Sequence, residues 1–500
     1  MSLLTKAENF LAITLSKSVK GYEMHIFEYL VLNCQPNYKQ SVLNILIELS
    51  KTLDLNDFND VDLGFLPGLI IDQIRQSPID SLTKVHLLKG LLNLDWWTDI
   101  NLSDQNKDEL SKIARKELFQ IASRLKNLSL KSEHNIRVRH AVFVGQISHL
   151  LHSPTRGAID YIRALMTHPE TIKIDVFYTG SFTPEIKAYA DGILKNNTNI
   201  SYTNIDMEPD WLESAIINGP YTYHFWCEPH LSVQIGIMAL FGPSIMFTTG
   251  HIAPIQYADV YWYSHDVEYI EALWKRTGAP DYFIKNYRFL RSAPIYIPQP
   301  NQKRSRADIG LKMDEIVLTS VGNRLGAEIT EEFIDGLCPI ILKNPKVRWL
   351  AIGPLQDYWI DTFNSVLGDQ FIHITYDQDL PSLMQNVDIF VNSFRAGGGM
   401  SAAIAIDAGA VFLGRGDFGD TMSLVPHAHR QNSVDDYFEK LQELIDSSEL
   451  RGSWSDEQKS YLSIYADPDN FQQELNQLIE IAHDRYEKRK PIDIIKLYDQ

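Results

Sequence analysis

RHAVFVGQIS, residues 139–148, opens the part of the chain that decides the fold. This apolar run of strand length is followed, after a short loop, by the helical segment GAIDYIRALMTHP and by a second apolar run, IKIDVFYTG, that ends at residue 180. A strand, a helix and a second strand in this order predict a βαβ unit with parallel strands. Residues 139–180 therefore indicate an α/β fold class.

Strands and helices continue to alternate after this unit. The next strand candidates are NISYTNI, YTYHFWC, SIMFTTG and DVYWYS, with the helical stretches PEIKAYADGIL and LSVQIGIMALF between several of them. After the proline-containing stretch IYIPQPNQKRSRADIG the alternation restarts with EIVLTSVG, EEFIDGLCPIILKNP, VRWLAIG, FIHITY, LPSLMQNV, DIFVNS, SAAIAIDAGA and VFLG. The sequence thus predicts two Rossmann-like domains in tandem, with a ligand cleft at the carboxyl ends of both sheets.

The chain before the first unit has a different pattern. In YKQSVLNILIELSKTL and DELSKIARKELFQIASRLKNL, apolar residues recur every three or four positions, as in amphipathic helices. We expect an all-helical domain over residues 1–134 that serves packing or acceptor docking, a Rossmann-like domain over 135–300, and a second one over 301–500 that ends in the helix NFQQELNQLIEIAHDRYEKRK.

Composition and charge limit the classes of partner. Of 500 residues, 44% are hydrophobic and 22% charged, which is typical of globular proteins, and the net charge of −18 disfavours nucleic acid. The three cysteines, Cys34, Cys227 and Cys338, are too scattered for a metal ligand pair or a disulfide framework. No segment has the roughly 18 apolar residues that span a bilayer, nor does the N-terminus carry an apolar leader core. We expect a cytoplasmic protein.

The strongest local motif is a glycine-rich turn between the strand DIFV and the helix AAIAIDAGA. It reads NSFRAGGGMS and contains Gly397, Gly398, Gly399, Met400 and Ser401. Glycines allow the backbone to approach a phosphate closely, and the helix that follows presents free N–H groups and a positive dipole. The motif predicts a diphosphate site; the alternative is a tight turn without a ligand.

Two other segments follow strands of the same predicted domain. Asn323 and Arg324 come directly after the first strand, and a guanidinium at this position is suited to neutralise a departing diphosphate without a metal. Asp417, Asp420 and Thr421 come after the strand VFL and are candidates for contacts with donor hydroxyls or phosphate. The alternatives are an exposed surface charge and ordinary turn chemistry.

In the first Rossmann-like domain, histidines follow two strands. His149 and His152 lie in ISHLLHSPTRG, after the first strand, where a neutral imidazole is suited to remove a proton from an acceptor nucleophile. Gly250 and His251 follow the strand SIMFT and are further cleft candidates. Each histidine has the alternative role of packing or of hydrogen-bonding a substrate.

Several other chemistries lack their signatures. The sequence has no G-x-S-x-G elbow, no H-E-x-x-H and no Walker lysine motif, and the first Rossmann loop, GQISHLLHS, lacks G-x-G-x-x-G spacing. Serine hydrolase, zincin, P-loop and nicotinamide chemistry are therefore disfavoured. A sugar nucleotide is the better fit, as a donor substrate rather than as a cofactor.

These features resemble the GT-B glycosyltransferases, which carry two Rossmann-like domains. The chain is similar to the cytoplasmic adhesin N-glycosyltransferases and their relatives, the O-linked N-acetylglucosamine transferases, through HLLHSPTRG, TTGHIAP followed by ADVYWYS, and VGNRLGAEITEEF. The resemblance implies metal-independent transfer of a hexose, glucose first, from a UDP-sugar to a protein, glycopeptide or glycan. It also implies a catalytic base in the histidine-containing loop, with Arg324 on the leaving diphosphate.

One position departs from the family pattern. The acidic residue expected five positions before the glycine that ends the helix, Gly409, is replaced by Ile404, and Asp407 is the candidate to compensate. This departure leaves open a non-catalytic scaffold partner of an active transferase, and a nucleotide-sugar epimerase is a second alternative. Retention or inversion of the anomeric configuration and the identity of the acceptor also stay open.

Overall fold

The computed structural model describes most of the chain from residue 136 onward. It describes residues 74–76, 84, 109–110, 112–113, 116–117, 120, 136–148, 150, 153–168, 170–195, 197–205, 215, 219, 221–226, 238–247, 257–263, 270–271, 281–322, 325–394, 399–416 and 423–498. The few described residues before 136 are helical, but the expected all-helical domain falls mostly outside this description, as does the stretch LSVQIGIMALF.

The first sheet consists of parallel strands. In the described chain they are β1 (Arg139–Ile147), β2 (Lys173–Gly180), β3 (Ile200–Asn204), β4 (Thr222–Trp226), β5 (Ser244–Phe247), β6 (Val260–Tyr263) and β7 (Tyr287–Phe289), in the spatial order β3-β2-β1-β4-β5-β6-β7. Each apolar run expected to form a strand contains one, and β7 is an addition. Strands β4 to β6 are buried along almost their whole length, because parallel sheets are covered on both faces.

The helices described around this sheet are α1 (Ser153–Thr167), α2 (Pro184–Leu194) and α3 (Asp281–Asn286). Local sequence fixes the start and end of α2. The Thr183 hydroxyl accepts a hydrogen bond from the Ile186 N–H, proline occupies the first helical position, and Lys195 ends the helix in a left-handed conformation. Helix α1 confirms the predicted βαβ unit, since β1 and β2 pair in parallel on either side of it in the chain.

The second sheet is also parallel. Its strands are β8 (Ile316–Val321), β9 (Val347–Ile352), β10 (Phe371–Ile374), β11 (Ile389–Val391) and β12 (Val411–Leu413), in the order β10-β9-β8-β11-β12. The helices described with it are α4 (Leu325–Glu328), α5 (Glu331–Lys343), α6 (Asp357–Leu367), α7 (Leu380–Met384), α8 (Gly399–Asp407), α9 (Val434–Asp446) and α10 (Ser448–Tyr465). Helices α5, α9 and α10 begin at Thr330, Ser433 and Ser447, whose hydroxyls accept backbone N–H bonds.

Two apolar layers cover the second sheet. Side chains of α5, α6 and α9 pack with Ile389 and Val391 in a first cluster, the α5/α9 layer. Side chains of α7, α8 and α10 pack with Phe390 and Phe412 in a second cluster, the α8/α10 layer. Alternate residues of β11 thus enter opposite layers, as the two-residue period of a strand requires.

The end of the chain belongs to the first compact unit. The chain divides into Met1–Phe289 with Leu475–Gln500, and Leu290–Glu474. Helix α11 (Pro468–Lys488) crosses this boundary, and α12 (Pro491–Tyr498) follows it. Arg489 makes two hydrogen bonds of 2.6 and 2.8 Å to the fully buried Asp259 carboxylate beside β6. The domain limits at residues 134 and 300 stay predictions.

Both sheets confirm the expected fold class of two Rossmann-like domains. None of the helices in the described part of the chain has both the length and the apolar character needed to cross a membrane.

Candidate functional site

The two predicted donor-binding segments follow neighbouring strands of the second sheet. Strands β8 and β11 pair directly, with Leu318 beside Ile389 and Thr319 beside Phe390, although β9 and β10 lie between them in the chain. This is the switch point of the sheet, where the chain connections diverge to opposite sides and where such folds bind ligands at the carboxyl ends of the strands. The chain leaves β8 toward Arg324 and β11 toward the glycine-rich turn at that edge.

Glycines fix the start of the loop after β8. Gly353 has a φ of +138°, and a Cβ there would lie 1.9 Å from the Gly322 carbonyl oxygen. The Gly322 N–H donates to the Ile352 oxygen at 2.9 Å, and the Gly326 N–H donates to the Pro354 oxygen at 3.0 Å. The loop is thus packed, backbone on backbone, against the loop after β9. Asn323 and Arg324 lie outside the described residues.

Helix α8 begins at the end of the glycine-rich turn. Gly399, Met400 and Ser401 form its first turn, which contains no acidic side chain. The first N–H groups of a helix have no partner within it, and together with the helix dipole they favour an anion. The start of α8 is thus a position that favours an anion over a cation. Gly397 and Gly398 lie outside the described residues.

The structure separates Asp407 from this turn. Asp407 is the last residue of α8, and eight residues at 1.5 Å each put it about 12 Å along the helix from Gly399. Ile404 is buried in the α8/α10 layer. A carboxylate at position 404 would therefore lie among apolar side chains. It would not be part of the first turn of α8.

The loop after β12 is closed at its base by a short parallel bridge between Arg415 and Gln431. The Gly416 N–H donates to the Gln431 oxygen at 2.8 Å. This loop leaves the same carboxyl edge as the glycine-rich turn, since β12 pairs with β11 in parallel. Its three candidate residues, Asp417, Asp420 and Thr421, lie outside the described residues.

In the first sheet, hydrogen bonds bracket the loop that carries His149 and His152. The Ser148 N–H donates to the buried Thr155 hydroxyl at 3.3 Å, and Arg156 Nε donates to the Leu150 oxygen at 2.6 Å. Thr155 and Arg156 of the SPTRG motif therefore have structural roles. His149, His152, Gly250 and His251 themselves lie outside the described residues.

Trp226 connects the start of α1 to the switch point of the first sheet. It ends β4, which pairs with β1, and its indole N–H donates to the Pro154 oxygen at 2.9 Å. A Cβ on Gly157 would lie only 2.6 Å from the Trp226 ring. The ring of Phe247, in β5, stacks on the Trp226 ring with 4.3 Å between the centroids. Sequence reasoning missed Trp226; the signal available was a tryptophan at the carboxyl end of a strand.

A buried histidine network lies toward the amino end of the same sheet. His140 Nδ1 is 2.9 Å from His224 Nε2, and His224 Nδ1 is 2.7 Å from the Tyr161 hydroxyl. His483 of α11 is 2.9 Å from the Thr222 hydroxyl. Burial lowers the pKa of His140 to about 3 and that of His483 to about 4. These imidazoles are neutral at pH 7, and His140, the second residue of β1, lies at the end of the strand away from the histidine-containing loop.

Among the described residues, no group of three or more His, Cys, Asp or Glu side chains is arranged to hold a metal ion. The prediction of a metal-independent site thus rests on the sequence, namely on Arg324 and the glycine-rich turn.

Comparisons with known proteins bear on the fold. No family model matches the sequence, and no curated protein matches it. The structure is similar to that of an O-GlcNAc transferase from Thermobaculum terrenum, solved in a mutant form, with 10% identity over 98% of this chain and 99% of that one and a TM-score of 0.53. It is also similar to a glycosyltransferase from Rickettsia africae, with 8% identity over 69% of this chain and 98% of that one and a TM-score of 0.50.

At these identities the likeness defines the fold. The chain belongs to the GT-B fold class, with two Rossmann-like domains, as the sequence predicted. The more specific resemblance to the adhesin N-glycosyltransferases stays a prediction.

Proposed function

We propose that the protein is a glycosyltransferase that moves a hexose, glucose first, from a UDP-sugar to a protein, glycopeptide or glycan acceptor without a metal. The observation that carries the proposal is the adjacency of β8 and β11 at the switch point of the second sheet. It supports a single nucleotide-sugar site built from the segments after both strands.

The donor diphosphate is proposed to bind at the start of α8, with Gly397 to Ser401 supplying backbone N–H groups. Arg324 and Asn323 approach from the end of β8, and Asp420 and Thr421 from the loop after β12. The first turn of α8 has no acidic side chain to repel the phosphates. In this role Arg324 stabilises the charge that develops on the leaving diphosphate, which is usually the largest contribution to such a transfer.

On the acceptor side, His149 or His152 is the proposed base, and Gly250 and His251 are proposed to line the acceptor site. The hydrogen bonds of Ser148 and Arg156 on either side of the histidine-containing loop support this role, because a base acts only when it is held in place. The sequence resemblance of HLLHSPTRG and VGNRLGAEITEEF to the adhesin N-glycosyltransferases favours a protein acceptor.

The non-catalytic scaffold partner stays the alternative function, because position 404 carries a buried isoleucine in place of the expected acid. Asp407, at the far end of α8, stays a predicted donor contact.

Calorimetric titration without added metal tests the donor site. We expect the protein to bind UDP and UDP-glucose at micromolar concentrations, and Arg324→Ala to weaken UDP binding by about tenfold or more, since a charge-assisted bond to phosphate is lost. Lys346→Ala is the matched control. It removes one positive charge from the exposed amino end of β9, the opposite edge of the same sheet, and should leave the affinity unchanged.

Equal loss of affinity in both variants would indicate a general charge effect and would contradict the assigned role of Arg324. Failure of the folded wild-type protein to bind any of UDP, UDP-glucose and UDP-N-acetylglucosamine would overturn the proposal.

A further inference from the structure

Phe394, the third residue of the glycine-rich turn NSFRAGGGMS, has a left-handed backbone with a φ of 59°. For a bulky side chain this conformation is strained, and it persists only where the surroundings determine it. The alternation along β11 would send residue 394 to the side of Phe390, in the α8/α10 layer. Its ring lies instead in the α5/α9 layer with Val391. The left-handed backbone at residue 394 thus places its side chain on the face of the sheet opposite to the one that strand alternation predicts.

The ring of Phe394 is held by aromatic neighbours from two helices. Its centroid lies 5.4 Å from that of Phe333 in α5 and 5.0 Å from that of Tyr437 in α9, both edge to face. Tyr437 also fixes the backbone just before it, because its buried hydroxyl donates to the Asn392 oxygen at 3.1 Å. Side chain and backbone at the start of the turn are therefore fixed by the same helix.

A cation completes the enclosure. The guanidinium carbon of Arg415 lies 5.2 Å from the centroid of the Phe394 ring, within the range of a cation–π contact. Arg415 follows β12 and forms the bridge to Gln431 that closes the next loop. One side-chain contact therefore joins the start of the glycine-rich turn to the start of the loop that contains Asp420 and Thr421.

We infer that Phe394 and Arg415 form a positioning pair that presets both loops for the donor diphosphate. In this role the strained backbone of Phe394 sets the direction in which the chain continues into the glycine-rich turn. The Phe394 ring holds the loop after β12 beside that turn through its contact with the Arg415 guanidinium. The inference rests on the proposed function. It states that Phe394 and Arg415, which need not touch the ligand, determine the geometry of the residues that do touch it.

A double-mutant cycle on UDP affinity tests the pair. We expect Phe394→Leu and Arg415→Met each to weaken UDP binding by about tenfold, and the double variant to lose little more than either single one, because residues that act through one contact are not additive. Phe394→Tyr keeps the aromatic face and should retain the wild-type affinity.

Thermal unfolding of the same variants separates positioning from stability. Phe363→Leu is the control: it shortens a fully buried ring of the same layer that contacts Trp349 and Phe371, and should lower the melting temperature without changing UDP affinity. If Phe394→Leu fails to fold, the UDP affinity of Arg415→Met is compared with that of the Phe363→Leu control instead.

Unchanged UDP affinity in Phe394→Leu or Arg415→Met, or effects that multiply in the double variant, would overturn the inference while leaving the donor site intact. If the wild-type protein binds no UDP, the proposed function fails and the inference fails with it.

Discussion

Gly157 leaves no space for a side chain where α1 passes the indole of Trp226. The ring cannot move aside easily, because its N–H is bonded to the Pro154 oxygen and its face is stacked on Phe247. The glycine of the SPTRG motif therefore has a packing reason in this fold, next to the loop that carries the proposed base.

We expect Gly157→Ala to destabilise the protein by about 1–3 kcal/mol, as overpacking does in a rigid core. The clash is large, since the new Cβ would lie 2.6 Å from the Trp226 ring. Denaturant unfolding measures the change. Gly192→Ala, in α2 of the same unit, meets no atom within 4 Å and should be neutral or stabilising by up to about 1 kcal/mol. Equal effects of the two substitutions would contradict this packing.

Among the secondary-structure elements, β12 is the outer strand of the second sheet, and a side chain forms hydrogen bonds with its backbone. Gln458 of α10 is fully buried, and its amide accepts from the Phe412 N–H at 2.8 Å and donates to the Phe412 oxygen at 2.9 Å. The glutamine thus pairs with the strand as a neighbouring backbone would, and protects an edge that is otherwise open to further pairing.

Gln458→Leu should lower the free energy of unfolding by about 1–3 kcal/mol, because it leaves the Phe412 N–H and carbonyl buried without their partner. The same substitution at the exposed Gln473 of α11 should change the free energy of unfolding by less than about 0.5 kcal/mol. The two variants are compared by urea unfolding. A Gln458→Leu protein as stable as the wild type would show that the pairing contributes nothing.

The elements differ in how far the sequence predicts them. Strands such as β8 and β9 are mostly apolar segments, so their positions, and the edge from which the segments after β8 and β11 leave, follow from the sequence. Strand β7, with the sequence YRF, has an arginine at its centre and therefore no apolar run that would indicate a strand. The left-handed Phe394 has no local signal either, because Phe333 and Tyr437, which hold it, lie 61 and 43 positions away (394 − 333 and 437 − 394).

At the scale of the whole molecule, the final segment of the chain helps to complete the first Rossmann-like domain. His483 reaches Thr222 in β4, and the buried pair of Arg489 and Asp259 fixes the chain just after α11. The first domain therefore contains His483 from α11 together with His140 and His224 from its central strands, and burial lowers the pKa of each of these three imidazoles.

Stability should fall as the pH drops below the pKa of an unfolded histidine, about 6.5. Burial lowers the pKa of His140 to about 3 and that of His483 to about 4, so between these limits the unfolded chain binds protons that the folded chain does not. From pH 7 to about pH 5.5, each of these two histidines should lower the free energy of unfolding by about 1 kcal/mol.

Urea unfolding at the two pH values measures this loss. His483→Gln keeps a hydrogen-bonding partner for Thr222 and should reduce the loss by about 1 kcal/mol, whereas replacement of the exposed His427 by glutamine should not. The same pH dependence in all three proteins would assign the effect to groups other than the buried histidines.

Hydrogen–deuterium exchange with and without UDP shows whether the switch point of the second sheet binds the nucleotide. We predict slower exchange on UDP binding in the segments 321–328 and 392–402, which leave the neighbouring strands β8 and β11. The loop at residues 181–183 and the start of α2 in the first sheet should be unchanged. UDP binding that protects neither of the two predicted segments would contradict a nucleotide site at this switch point.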